Sequence, residues 1–173
     1  MRRIKLSVAA SLDGFIAGPN GDLKWLFDDQ DYGLSEFYGT VDTVLLGRKT
    51  YDGMVQMGMP SYPHMRNFVF SATKEPGARD GVEYVRENPA TFCARLRQES
   101  GKDIWLVGGG TLAHTLIDAK LLDEIGVAVH PVMLGGGVPL FRTPYGQLDL
   151  ELAECKPYDT GLVALSYRVK PAA

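Results

Sequence analysis

The segment that most constrains this chain is DIWLVGGGTLAHTLID, which runs from Asp103 to Asp118. It begins with an apolar run at 104–107 that has the length of a buried strand. Three glycines follow, and Thr111 can then cap a helix that has an apolar face. Because glycine lets a ligand approach the backbone and the first N–H groups of a helix are unpaired, such a turn can bind the pyrophosphate of a dinucleotide. The segment matches neither G-x-G-x-x-G nor the P-loop, so a tight turn without a ligand explains it equally well.

A second turn of this kind follows the apolar run at 43–46, where Gly47 precedes Arg48, Lys49 and Thr50. Two cations and a hydroxyl group at the start of a helix favour phosphate binding. The alternative is that both cations are ordinary solvated charges.

A third strand, at 67–70, ends at Ser71, and Lys74 follows shortly after it. In open α/β sheets, ligands bind outside the carboxyl ends of the strands. Since the two glycine turns and Ser71 all follow strands, we expect them to meet at one edge of the sheet.

The order of the segments predicts an α/β domain with a mostly parallel sheet, flanking helices and an antiparallel C-terminal hairpin. Asn88 and Pro89 mark the start of one helix, and Gly101 lies past its end. Predicted strands cover 4–10, 43–46, 67–70, 82–85, 104–107, 125–132, 148–156 and 162–169; predicted helices cover 32–39 and 48–57 and begin near 89 and 111.

Composition excludes several classes of protein. The chain has 173 residues, 45% of them hydrophobic, which suits one globular domain with a core. A net charge of −3 without a basic block argues against nucleic-acid binding, and no apolar run approaches membrane-spanning length. Cys93 and Cys155 form no motif, so a reduced, cytoplasmic protein is expected. The three histidines have no metal-ligand spacing, and no metal is expected.

The loop from Ser11 to Trp25 is long for a compact domain, and such loops are often lids or binding loops. It carries an apolar island at 15–17 and several turn-forming residues, so it can hinge and cover a ligand. A static surface loop that is pinned by Trp25 is the alternative.

Five segments together resemble a known family. The chain is similar to the dihydrofolate reductase fold and, within it, to the reductase domain at the C-terminus of the bacterial bifunctional riboflavin-biosynthesis deaminase-reductase. The matching segments are SLDGFIAG, VLLGRKTYDGM, FVFSATKE, WLVGGGTLAHTLI and HPVMLGGGVPLF, which span nearly the whole chain in order. The resemblance implies a single domain over residues 1–173 with a three-layer dihydrofolate-reductase-like fold.

The resemblance also implies NADPH as the hydride donor. Two alanines of the first strand would lie beside the nicotinamide, the loop would close over it, and the glycine turns would hold the phosphates. Residues near Ser71 would approach the adenosine 2′-phosphate. The implied cofactor contacts are Ala9, Ala10, Ile16, Gly18, Gly47, Arg48, Lys49, Thr50, Ser71, Lys74, Val107, Gly108, Gly109, Gly110, Thr111 and Leu112.

The substrate pocket is less well defined by the sequence. The resemblance places Trp25 and Asp31 there, where a carboxylate could pair with an amino-pyrimidine edge or serve as the catalytic acid. Asp31 could equally cap the following helix. GRKTYDG departs from the riboflavin-pathway pattern and matches dihydrofolate reductases and stand-alone homologues.

These observations predict an NADPH-dependent reductase of a small heterocyclic substrate, resembling 5-amino-6-(5-phosphoribosylamino)uracil reductase. A dihydrofolate or pteridine reductase, or a non-catalytic nucleotide sensor, are the alternatives. The glycine turn at 135–137 and the C-terminal hairpin resemble dimer-forming parts of the riboflavin-type reductases, so a homodimer is expected.

Overall fold

The computed structural model describes residues 1–59, 61–144 and 146–171. The described chain contains eleven strands and four α-helices. The strands are β1 Ile4–Ser11, β2 Phe15–Ala17, β3 Val41–Gly47, β4 Arg66–Phe70, β5 Gly77–Arg79, β6 Val82–Val85, β7 Asp103–Gly108, β8 Glu124–His130, β9 Val138–Pro139, β10 Leu150–Pro157 and β11 Val163–Val169. The helices are α1 Leu34–Thr40, α2 Arg48–Gln56, α3 Pro89–Leu96 and α4 Gly110–Asp118.

Nine strands form one sheet in the order β10-β11-β8-β1-β7-β3-β4-β6-β5. The six central strands from β8 to β6 are parallel, while β5, β11 and β10 are antiparallel to their neighbours. The short strands β2 and β9 form a separate antiparallel pair. The predicted mixed, mostly parallel sheet with a C-terminal hairpin is confirmed.

Two hydrophobic clusters lie on opposite faces of the sheet. Helices α3 and α4 contribute to one cluster, and α2, with residues of α1, to the other. Strand β7 shows why the central strands are continuously apolar: Ile104 and Leu106 point into the first cluster and Trp105 into the second. A strand that is covered on both faces needs apolar side chains at every position. The sheet therefore forms the middle of three layers.

Several predicted boundaries were wrong, each for a local reason. The first helix begins at Leu34 and not at residue 32, because Tyr32 and Gly33 both have left-handed backbone conformations (φ 50° and 81°). Strand β8 ends at His130, before Pro131, whose nitrogen cannot donate to a ladder. Thr111 does not cap α4: Gly109 occupies the N-cap position, and Thr111 lies inside the first turn.

The short strands β2, β5 and β9 were not predicted, because two or three residues show no measurable periodicity. No helix among the described residues is long and apolar enough to cross a membrane. Both cysteines are free, Cys93 in the core and Cys155 on the surface.

Candidate functional site

The two predicted glycine turns touch each other at the carboxyl edge of the sheet. A Cβ atom added to Gly109 would lie 3.2 Å from the Cα of Gly47, and one added to Gly47 would lie 3.3 Å from the Cα of Gly109. Thr50 packs beside the same turn, 3.8 Å from the position of a Cβ on Gly108. The structure thus brings together residues that the sequence placed on two separate strands.

The sheet is split between β1 and β7 at this same edge. Pairing between the two strands ends at Leu6 and Leu106. Beyond that point β1 follows β8 as far as Ser11, while β7 follows β3 as far as Gly108. The result is a slot between two adjacent parallel strands that opens toward the glycine turns.

Backbone groups of β1 line one side of this slot. The backbone polar groups of successive β1 residues point alternately toward β7 and toward β8. The carbonyl of Arg3 accepts a hydrogen bond from β7, and that of Ile4 accepts one from Asp123 on the β8 side. The indole Nε1 of Trp105 donates to the carbonyl oxygen of Ser7 at 3.0 Å, so Ser7 also faces β7. By the same alternation, the N–H and C=O of Ala9 point into the slot, beyond the last paired residues. A flat ring with an amide group could pair with this backbone edge.

Helix α4 presents its amino end at the mouth of the slot. Its first helical hydrogen bond runs from the N–H of Ala113 to the carbonyl of Gly109, and no side chain of the described residues caps the helix. The N–H groups of 110–112 therefore have no intrahelical acceptor and favour an anion. The side chain of Arg142, which sequence reasoning missed, lies across Gly110, with Cγ and Nε both 3.2 Å from the position of a Cβ.

The cations of the second glycine turn differ in their surroundings. Arg48 forms an ion pair with Asp52, one helical turn later, and both side chains are partly exposed. Lys49 is exposed and Thr50 is half-buried. Because the Arg48–Asp52 pair is accessible to water, Arg48 could leave Asp52 and bind a phosphate at little cost in free energy.

Ser71 organises the turn after β4. Its buried hydroxyl oxygen accepts from the N–H groups of Thr73 (3.3 Å) and Lys74 (3.1 Å). Arg86, which sequence reasoning also missed, follows β6 and donates to the carbonyl of Lys74 (3.2 Å) and to Glu75 (3.0 Å). In the sequence, the signal for Arg86 is its position just after β6, which pairs in parallel with β4. Lys74 and Arg86 thus provide two exposed cations in one corner of the carboxyl edge.

The loop at 11–25 is tied down at its start. The carboxylate of Asp13 accepts from the hydroxyl of Ser11 (2.6 Å) and from the N–H groups of Leu134 (3.1 Å) and Gly135 (2.7 Å). These hydrogen bonds, chiefly the one from Ser11, lower the pKa of Asp13. Strand β2, which contains Ile16, then pairs with β9. Motion of this loop remains a prediction, but its first half has a defined anchor.

A row of aromatic rings follows the loop beside the ends of β1 and β8. Trp25 contacts His130 with ring centroids 5.1 Å apart, and Phe27 contacts the same ring at 5.0 Å. Further along, Tyr32 contacts Tyr158 of the hairpin turn at 5.0 Å. Of these rings, the sequence singled out only Trp25.

Asp31 is exposed beside this row, and its contacts resemble those of a helix cap. Its Oδ1 accepts from the backbone N–H (3.0 Å) and the hydroxyl (2.7 Å) of Ser35. These two hydrogen bonds lower the pKa of Asp31. A carboxylate with a lowered pKa can accept hydrogen bonds from a substrate, but it is ionised at neutral pH and is a poor proton donor. The catalytic role of Asp31 stays a prediction.

Comparison with solved structures identifies the fold as the dihydrofolate-reductase-like α/β class. A protein assigned to riboflavin biosynthesis in Shewanella sp. PV-4 superposes with a TM-score of 0.83 at 29% identity, covering 99% of this chain and 100% of that one. The deaminase/5-amino-6-(5-phosphoribosylamino)uracil reductase of Thermotoga maritima gives 0.73 at 16% identity, covering 98% of this chain and 57% of its own. A pyrimidine reductase-like protein of Corynebacterium diphtheriae gives 0.72 at 14% identity, covering 99% and 93%.

The sequence comparisons give the family. The model of the RibD C-terminal domain matches residues 2–164, and the chain belongs to that family. Two uncharacterized proteins of Bacillus subtilis (strain 168) are similar over most of their length: YwjB is 37% identical, covering 91% of this chain and 92% of the relative, and YyaP is 34% identical, covering 96% and 94%. The comparisons therefore show a member of the RibD C-terminal domain family with the dihydrofolate-reductase-like fold.

Proposed function

We propose that this protein is an NADPH-dependent reductase that transfers a hydride to a small heterocyclic substrate, similar to 5-amino-6-(5-phosphoribosylamino)uracil reductase. The observation that carries the proposal is the slot between β1 and β7, which opens beside two touching glycine turns. The reducing cytoplasm is the proposed location, which is consistent with two free cysteines.

In the proposed complex, the residues at the carboxyl edge would contact the successive parts of NADPH. The backbone of Ala9 would hold the nicotinamide amide, and the N–H groups of 110–112 would hold the pyrophosphate. Arg48, Lys74 and Arg86 would surround the 2′-phosphate. The bound cofactor supplies the hydride, while the protein orients the rings and excludes water.

The direct test is titration with NADPH, followed by a panel of pterin, aminouracil and quinoid substrates. Saturable binding with oxidation of NADPH by one member of the panel is the expected result. Binding without turnover across the panel would favour a nucleotide sensor, and no binding of NADPH would contradict the proposal altogether.

Replacing Arg48 with alanine should weaken NADPH binding more than NADH binding. A guanidinium contact to the additional phosphate is worth about 1.5–3 kcal/mol, which corresponds to roughly a tenfold to hundredfold change in affinity. Asp52→Asn is the matched control, since it removes the ion-pair partner of Arg48 and leaves the cation free for phosphate. Titration of each variant with both cofactors measures the difference. Equal affinities of the wild-type protein for NADPH and NADH would contradict the cofactor choice.

The loop at 12–24 should become protected from hydrogen exchange when NADPH binds. The anchored first half positions Phe15 and Ile16, and closure of the remainder would cover the nicotinamide. Exchange is measured over this segment with and without NADPH. If exchange is unchanged while NADPH is demonstrably bound, the loop is a static wall and not a lid.

We also propose a homodimer that forms through the C-terminal hairpin. Strand β10 is an outer strand of the large sheet, and its Leu150 and Leu152 are 38% and 54% exposed. Leu152→Lys should shift sedimentation toward the monomer, because a buried ammonium group is costly. Glu151→Lys, on the opposite face of the strand, is the control. A clean wild-type monomer at tens of micromolar, about where a specific dimer should persist, would exclude this interface.

A further inference from the structure

His130 is a buried residue whose two ring nitrogens both contact backbone groups. It ends β8, is 3% exposed, and places Nδ1 at 3.1 Å from the carbonyl oxygen of Ala128 and Nε2 at 3.2 Å from the amide nitrogen of Phe27. A carbonyl oxygen only accepts, so Nδ1 carries the proton; an amide N–H only donates, so Nε2 must accept. Only the neutral Nδ1–H tautomer satisfies both contacts.

The imidazole ring also packs against the aromatic row of the site. Its centroid lies 5.1 Å from that of Trp25 and 5.0 Å from that of Phe27, both in edge-to-face geometry. Phe27 in turn contacts Tyr32 at 6.2 Å, next to Asp31. His130 therefore connects the end of β8 with a segment that lies 103 residues earlier in the chain and precedes α1.

We propose that His130 is a positioning residue that holds residues 25–27 as the substrate-side wall of the cleft only while its imidazole ring is neutral. A proton on Nε2 would face the N–H of Phe27, donor against donor, and would release the segment from β8. That this wall faces a substrate rests on the proposed function, whereas the contact between Phe27 and His130 is independent of it.

The surroundings of His130 set the direction of its pH response. Burial lowers the pKa of His130, and the Ala128 carbonyl partly opposes this effect. Because the pKa of the folded state is lowered, the contact is complete above the ordinary histidine pKa of about 6.5 and is lost as the pH falls through the folded-state value. His130 is paired with Ser11 of β1, its neighbour Val129 with Val163 of β11, and its ring contacts Trp25 and Phe27. The charged residues of the described chain that lie within four positions of these contacts in the sequence are Asp13, Asp22, Lys24, Asp28, Asp29, Asp31 and Asp159.

The test is the hydrogen exchange of the Phe27 amide, followed by NMR together with titration of the His130 ring from about pH 8 to about pH 5. In the wild-type protein, the protection of the Phe27 amide, corrected for intrinsic exchange, should fall about tenfold as the pH is lowered. The midpoint of this fall should coincide with the midpoint of the His130 ring titration. Two variants sharpen the result. His130→Gln keeps an oxygen that can accept from Phe27 and does not titrate, so protection should be independent of pH. His130→Phe keeps a flat ring without an acceptor, so protection should be low throughout.

Two outcomes would overturn the inference: protection of Phe27 that ignores the titration of His130 in the wild-type protein, or equal protection in the wild type and His130→Phe at neutral pH. The wild-type titration needs no variant to fold. NADPH affinity is measured in parallel and should change less than twofold in His130→Phe, a difference of about 0.4 kcal/mol, because the glycine turns lie on other strands. Absent NADPH binding in every form would refute the proposed function and leave the exchange result standing.

Discussion

Replacing Gly109 with alanine should weaken NADPH binding about tenfold or more and lower the free energy of unfolding by roughly 2–4 kcal/mol. Gly109 has a φ of 107°, which an L side chain rarely adopts. Its Cβ would also lie 3.2 Å from the Cα and 3.4 Å from the nitrogen of Gly47, so neither backbone can yield without separating the two turns. Because these turns would hold the cofactor phosphates, their separation should disturb binding as well as stability.

Two other glycines separate the causes of this effect. Gly47 has an ordinary φ of −73°, so Gly47→Ala introduces the close contact without backbone strain. Gly53, in the interior of α2, has no atom from the described part of the chain within 4 Å of an added Cβ, and alanine there should stabilise the helix by about 0.5–1 kcal/mol. Chemical denaturation and NADPH titration measure both quantities. A folded Gly109→Ala protein with wild-type affinity would show that the cofactor does not use this contact.

The central strands could be predicted because consecutive residues in them are apolar and buried. Val44, Leu45 and Leu46 are all fully buried in β3, as are Ile104 and Leu106 in β7. A run that is apolar at every position, followed by glycine and then by a helical pattern, has few other interpretations. The general rule that ligands bind beyond the carboxyl ends of parallel strands then predicted where the candidate site lies. The prediction that the two glycine turns meet depended on the order of the strands and helices and not on any one motif.

The features that could not be predicted depend on residues that are distant in the chain. The bond from Phe27 to His130 and the contact between Arg142 and Gly110 join segments whose proximity no local pattern records. The position of Arg86 directly after a strand was a signal for the site, but a single cation at the end of a strand is too common to single out a binding residue. The capping role of Thr111 was wrong because a glycine with an unusual φ took that position first. Sequence periodicity predicts helices and strands well, but it predicts the contacts between their ends poorly.

Gly137→Ala should disrupt the pairing of β2 with β9 and destabilise the protein by roughly 3 kcal/mol or more. A Cβ on Gly137 would overlap the carbonyl oxygen of Ala17 and lie 2.9 Å from the carbonyl carbon of Gly18, and the φ of 131° strains any L residue. This turn is also where Asp13 binds, through the N–H groups of residues 134 and 135. The first half of the loop would thus lose one of its two anchors.

The neighbouring glycine provides the matched control, since Gly136 has no positive φ and no atom of the described residues lies within 4 Å of its added Cβ. Gly136→Ala should therefore be neutral or stabilise by about 0.4–1 kcal/mol through the unfolded chain. Thermal unfolding measures the stability of both variants, and hydrogen exchange over 12–24 measures the loop. Exchange should rise in Gly137→Ala alone, and this variant should bind NADPH more weakly, because a loop without its anchor must be ordered at the expense of binding energy. If both variants behave alike, the β2–β9 pair does not anchor the loop, and closure must depend on Asp13 and Trp25 instead.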